Sequence, residues 1–167
     1  MNVGKISLAF ERKICSPDAL AARLRALPRP LVFTNGVFDI LHRGHVTYLA
    51  QARALGSSLM VAVNSDASAR RLGKGPDRPI NPLGDRLAVV AALEAVSLVT
   101  WFEDDTPLAL ILTAQPDVLV KGGDWKPGAI VGASEVLSRG GAVHSIPFDH
   151  PRSTTALLER IRSNRQD

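Results

Sequence analysis

Apolar residues along the chain gather in short continuous runs, and the stretches between them carry a helical period. The runs at residues 31–34, 59–63, 98–102, 118–121 and 142–146 are four or five residues long and end at Asn, Gly, Pro or acidic positions. Runs that short, bounded in that way, predict buried strands. Residues 44–55 place Val46, Leu49, Ala50 and Ala54 on one helical face, with Gly56 as the stop. Ser16 as N-cap and Pro17 at the first helical position open a helix over 17–27 that Pro28 and Pro30 end. Asn64, Ser65 and Asp66 cap a short helix reaching about residue 72, and residues 83–96 form the next. Thr106 caps a helix over 107–114, Gly140 and Gly141 close one over 129–139, and Ser153 opens a last one to about residue 162. Residues 73–82 carry almost nothing apolar and read as a surface loop, as do residues 122–128.

Five short strands separated by helices predict an α/β fold: a doubly wound, five-stranded parallel sheet with right-handed crossovers. The length of 167 residues makes this one domain, with residues 1–30 a helical segment packed on a body of residues 31–167. In such sheets ligands bind beyond the C-terminal strand ends, where the strand order reverses. The loops after Phe33, Val63, Lys121 and Ile146 are therefore where chemistry is expected.

Composition narrows the class of ligand. A hydrophobic fraction of 46% and a charged fraction of 22% exclude a disordered chain. Cys15 is the only cysteine, so neither an intramolecular disulfide nor a Cys-based zinc site can form. The first residues show no signal-peptide pattern, and the apolar stretch 87–102 is broken by Glu94 and too short to span a bilayer. A cytoplasmic protein without a membrane partner is expected. The net charge of +4 invites a nucleic-acid reading, but no run of five like charges exists and aromatics are only 5%. A modest positive excess suits a small phosphate-bearing molecule, and nucleic acid is not expected as a partner.

The first strand-to-helix loop reads Thr34-Asn35-Gly36-Val37-Phe38-Asp39-Ile40-Leu41-His42-Arg43-Gly44-His45. Gly44 has no side chain to keep a ligand from the backbone, and His45 falls in the first helical turn, where free N–H groups and the dipole favour an anion. Two imidazoles there can donate to a phosphate and stabilise charge that builds on it during displacement. The plainer reading is that both histidines cap or are solvated; a metal reading lacks a third ligand. Lys74, between Gly73 and Gly75, is placed to neutralise phosphate charge or is an ordinary exposed lysine. Arg78 and Arg86 offer further phosphate contacts or surface charge. Lys121-Gly122-Gly123 allows a ligand close to the backbone, or a turn that needs positive φ. Asp124 and Trp125 follow, the latter covering the core edge or packing on a ligand. Ser153-Thr154-Thr155 offers three hydroxyls where one cap needs one, so phosphate binding and capping both fit.

Taken together, the 34–39 block with His42-Arg43-Gly44-His45 resembles the nucleotidyltransferase superfamily that carries a His-x-Gly-His signature. Val63-Asn64-Ser65-Asp66, Arg78-Pro79-Ile80-Asn81-Pro82, Val120-Lys121-Gly122-Gly123-Asp124 and Ser153-Thr154-Thr155 resemble blocks of its bacterial ADP-heptose-forming adenylyltransferase branch, over about residues 31–162. The resemblance implies a Rossmann-like nucleotidyltransferase fold and a reaction in which D-glycero-β-D-manno-heptose 1-phosphate attacks the α-phosphorus of ATP, releasing pyrophosphate, for lipopolysaccharide precursor synthesis. It implies direct in-line transfer with Mg2+ or another divalent cation. It also implies His42, His45 and Lys74 as catalytic residues. Thr34, Asn35, Gly36, Val37, Phe38, Asp39, Gly44, Ser153, Thr154 and Thr155 would bind the nucleotide, and Lys121, Gly122, Asp124 and Arg78 the sugar phosphate. Many relatives are fused to a sugar kinase; some thirty residues before Thr34 are too few for one, so a separate heptose kinase is expected. A homo-oligomer, dimer or tetramer, is expected on the same ground. Val37 stands where the branch often has Cys, and His150-Pro151-Arg152 departs from the pattern near the expected base site. The alternatives are a cytidylyltransferase acting on glycerol 3-phosphate or a similar alcohol phosphate, and a nucleotide sensor without turnover.

Overall fold

A computed structural model of the chain describes residues 8–73, 75, 77–149, 160, 161 and 163. Strands β1 (Leu31–Gly36), β2 (Ser58–Asn64), β3 (Leu98–Phe102), β4 (Val118–Gly122) and β5 (Ala142–Ile146) form one sheet in the order β3-β2-β1-β4-β5, with all neighbouring pairs parallel. Strand parity sorts the core. Val32, Leu59, Val61, Val63, Val99, Val118 and Val120 point to one face, under helices α2 (Arg43–Arg53) and α4 (Leu83–Ala92). Leu31, Phe33, Met60, Ala62, Leu98 and Leu119 point to the other, under α1 (Leu20–Leu24), α5 (Leu108–Ala114) and α6 (Ala133–Ser138). The short α3 (Asp66–Arg71) follows β2 with Ser65 as N-cap, its hydroxyl accepting from the Ser68 N–H at 3.1 Å. The doubly wound parallel sheet is thus as expected, and its order reverses between β1 and β4.

Several element limits differ from the sequence pattern. The helix expected over 17–27 is a 3-10 turn, Pro17–Ala19, followed by α1; the Ser16 side chain caps nothing, and Ala26 and Leu27 already bond three residues back as the prolines approach. Pro107, not Thr106, stands at the N-cap of α5, without a side-chain cap. The helix expected over 129–139 shrinks to α6 because Gly132 adopts φ +86°, and a Cβ there would lie 2.7 Å from Ile111 Cδ1. The α4 helix stops at Ala92 rather than residue 96, since Leu93 is extended and its carbonyl accepts from Lys13 Nζ at 3.0 Å. The buried face of α2 is Gly44, Tyr48, Leu49 and Ala52, while Val46, Ala50 and Ala54 are exposed. Small alanines had blurred the helical stripe.

Residues 9–15 run beside β3: a 3-10 turn, Ala9–Lys13, leads to a bridge between Ile14 and Val99, and the Cys15 N–H donates to the Val99 carbonyl at 2.9 Å. Leu20 is fully buried, which fastens α1 to the sheet. No helix among the described residues is long and apolar enough to cross a membrane.

Candidate active site

The loop after β1 delivers both histidines to the start of α2. His42 is the N-cap: its backbone is extended and its Nδ1 accepts from the Gly44 N–H at 3.1 Å. An accepting Nδ1 places the proton of the neutral ring on Nε2. One ring can therefore cap the helix through Nδ1 and carry a donor on Nε2. The His45 ring stands 4.1 Å from that of His42, tilted by 41°. Both are half-buried at the helix N-terminus, where an anion is favoured.

Below them lies a rigid floor. Thr34 and Tyr48, both buried, share a hydrogen bond of 2.5 Å between their hydroxyls, and the Tyr48 hydroxyl reaches the Val120 carbonyl at 3.4 Å. The bond ties β1, α2 and β4 together beneath the site. Burial pushes the Tyr48 hydroxyl pKa up to about 12, against a smaller opposing effect of its hydrogen bonds. Thr34, expected at the nucleotide, thus spends its side chain in the core.

At the switch point, Lys121 Nζ at the end of β4 donates to Asn35 Oδ1 at 3.2 Å across to β1, and lies 6.0 Å from the centre of the Trp125 ring. A cleft opens there, on the face away from α2, lined by Asn35, Asn64, Asp105, Thr106, Lys121 and Trp125 among others. Trp125 is half-exposed and anchored at both ends: its N–H donates to Ser145 Oγ at 2.9 Å and its indole to the Gly122 carbonyl at 3.2 Å. Asp124 beside it is exposed.

A second network holds the rim. The buried Asp39 carboxylate accepts from the Ile80 and Asn81 N–H groups at 2.9 Å each and pairs with Arg78 Nε at 2.7 Å. Asn81 returns a bond from its side-chain amide to the Asp39 carbonyl at 2.6 Å. Arg86, 1% exposed, donates to the carbonyls of Val37 at 2.7 Å, Asn64 at 2.8 Å and Asn81 at 3.0 Å, and to Asp66 Oδ1 at 2.6 Å. One guanidinium on α4 therefore ties the loops after β1 and β2 to residues 78–82. The sequence offered Arg86 as a phosphate ligand or surface charge; the structure makes it a buried tie. A lone arginine among the apolar positions of α4 was the available signal. Asp39 and Arg78 pair with each other, so both act first on loop shape.

Residues 33–160 match the cytidylyltransferase-like family. A D-beta-D-heptose 1-phosphate adenylyltransferase from Bordetella bronchiseptica is 58% identical over 158 residues, covering 93% of this chain and 98% of that protein. The chain belongs to the cytidylyltransferase-like family. It is also similar to the bifunctional protein HldE of Hahella chejuensis, 56% identical over 98% of this chain, but spans only 33% of that protein's length. A lipopolysaccharide core biosynthesis protein from Thermoplasma volcanium superposes with a TM-score of 0.59 at 30% identity, covering 73% of this chain and 98% of that one. Pantoate-beta-alanine ligase from Francisella tularensis, at 14% identity and a TM-score of 0.56 over 84% of this chain and 68% of that one, shares the fold alone.

For this family member, the fold brings His42, His45, Asn35, Gly36, Val37, Phe38, Gly44, Lys121 and Gly122 to one end of the sheet. Lys74, Ser153, Thr154 and Thr155 lie outside the described residues, as do His150 and Arg152. Among the described residues no group of three or more His, Cys, Asp or Glu side chains is placed to hold a metal ion. Asp39 pairs with Arg78, and Asp105 with Arg71 at 2.6 Å.

Proposed function

We infer that the chain transfers AMP from ATP to D-glycero-β-D-manno-heptose 1-phosphate, giving an ADP-heptose and pyrophosphate for lipopolysaccharide precursor synthesis. The observation that carries this reading is the 58% identity with a heptose 1-phosphate adenylyltransferase over 93% of this chain and 98% of that protein. The paired imidazoles at the start of α2 add a physical ground, since in-line displacement at phosphorus needs fixed donors where charge accumulates.

In this reading the backbone of residues 34–38, with Gly44, cradles the nucleotide, and Asp39 keeps that loop in shape through Ile80, Asn81 and Arg78. His42 and His45 donate to the α-phosphate as the sugar phosphate oxygen attacks and pyrophosphate leaves. Because Nδ1 of His42 is spent on Gly44, its donor is Nε2. Lys121, held by Asn35 at the switch point, meets the acceptor phosphate with Gly122 and Asp124 next to it in sequence, and the cleft beside Lys121 takes the sugar. Lys74, Ser153, Thr154 and Thr155 bind the departing pyrophosphate. Mg2+, which the family resemblance implies, would come bound to the phosphates of ATP and offset their charge. A kinase supplies the heptose 1-phosphate, and the working state is a homo-oligomer in the cytoplasm; these points rest on the family resemblance.

Pyrophosphate release with Mg2+, compared for ATP and CTP with and without D-glycero-β-D-manno-heptose 1-phosphate, tests the reading. Release that needs both ATP and the heptose phosphate is expected. Release with CTP and another phosphate acceptor alone points to the cytidylyltransferase alternative.

A further inference from the structure

Two phenylalanine rings from distant segments of the chain stand beside His45. Phe38, in the loop after β1, stands 5.7 Å from the His45 ring at 60°; Phe148, after β5, stands 6.1 Å away, edge-on at 73°. Each ring occupies room that a glycine leaves. A Cβ on Gly36 would lie 3.0 Å from Phe38 Cε2, and one on Gly122 would lie 2.7 Å from Phe148 Cζ. These glycines end β1 and β4, the strands that flank the switch point. Phe38 reaches its place with φ +49°, a conformation a side chain of that size rarely adopts.

Phe148 has its own supports. Its ring leans on Tyr48 at 5.5 Å, and Tyr48 is held through its hydroxyl by Thr34 and Val120. The next residue, Asp149, accepts from Gln51 Nε2 on α2 at 2.9 Å, which fastens the segment to the helix that carries His45. Yet Phe148 remains 40% exposed, so its ring is poorly placed to contribute core packing alone. The notch at Gly122, which the sequence offered for close approach of a ligand, is filled by this ring.

We propose that Phe148 is a positioning residue: seated in the notch left by Gly122, it holds the His45 imidazole in line with the α-phosphate of the nucleotide donor. The identity of that phosphate rests on the adenylyltransferase reading above; the seating of the rings does not. Phe38 packs on the same imidazole, so His45 is braced by two rings from separate segments. Small displacements of a reacting group are expensive in rate and cheap in stability.

The test compares Gly122→Ala, Phe148→Ala, the double variant and Phe148→Tyr in the full chain, with ring carbon–proton NMR signals of His45 as a readout independent of turnover. Phe148→Ala should lower kcat about tenfold or more with KM for ATP within about twofold of wild type. Gly122→Ala should do the same alone and add nothing in the Phe148→Ala background, because its only clash is then gone. Phe148→Tyr should recover most of the rate. The His45 signals should move in both single variants, while those of His144, on β5, stay. Multiplying losses in the double variant, or unmoved His45 signals with a reduced kcat, would overturn the proposal. If Phe148→Ala does not fold, Phe148→Leu carries the same comparison. A wild-type chain that releases no pyrophosphate defeats the adenylyltransferase reading, and the His45 signals still decide the seating.

Discussion

The chemistry proposed for the start of α2 rests on His45, and its replacement by Ala should lower turnover by roughly 10²–10³, the usual cost of one transition-state donor. Its ring is half-buried, so the melting temperature should stay near wild type; an unchanged kcat in steady-state kinetics would contradict the assignment. Tyr48 is the converse case, a residue of the floor. Tyr48→Phe strands the Thr34 hydroxyl and should cost about 1–2 kcal/mol in urea unfolding, most of it recovered when Thr34→Val is added. Because burial raises the Tyr48 pKa from 10.0 to about 12, folding favours the protonated phenol. Its contribution is complete below pH 10 and lost as pH climbs toward 12. Tyr48→Phe should therefore flatten the fall of stability across that window relative to wild type. Strand parity alone carries part of this: Thr34 shares the α2 face with Val32, whereas Asn35 shares the cleft face with Phe33. What parity does not carry is the partner, since the 14 residues separating Thr34 from Tyr48 close only when α2 lies on the sheet.

Among the elements, α4 has the role least visible from its sequence. Its helical span was legible, but Arg86 sits on its buried face and supports three loops through four acceptors. Arg86→Met should cost roughly 3–5 kcal/mol, because it leaves buried carbonyls without a donor and Asp66 without its cation. Arg86→Lys keeps the charge without the fork and should recover only part of that. Urea unfolding of the two variants checks both, and an Arg86→Met variant as stable as wild type would show the tie to be idle. The strands were legible within two residues at each end, since short apolar runs between Gly, Asn and Pro have few other solutions. Helix limits were less so. At α6 the break comes from Gly132 against Ile111, a contact between distant residues that no local pattern announces. At α2, exposed Val46, Ala50 and Ala54 imitate a buried stripe one residue out of phase with the real one.

For the whole molecule, the order β3-β2-β1-β4-β5 turns scattered motifs into one site. Reversal between β1 and β4 sets His42 and His45 on the α2 face and the Lys121–Asn35 pair at the crevice, with the cleft beside Trp125 on the opposite face. That the motifs would meet at the C-terminal strand ends followed from alternation of strands and helices. Which side chains face solvent there, and which are consumed by the scaffold, followed only from packing. The account rests on one chemical event, movement of the α-phosphorus of ATP onto a heptose phosphate. The direct test is to give the chain ATP labelled at the α-phosphorus, with Mg2+ and D-glycero-β-D-manno-heptose 1-phosphate, and to separate the products. The account predicts label in a new sugar nucleotide in equal amount to pyrophosphate released, and none without the heptose phosphate. Label that stays in ATP, or leaves it equally well without the sugar, would contradict it.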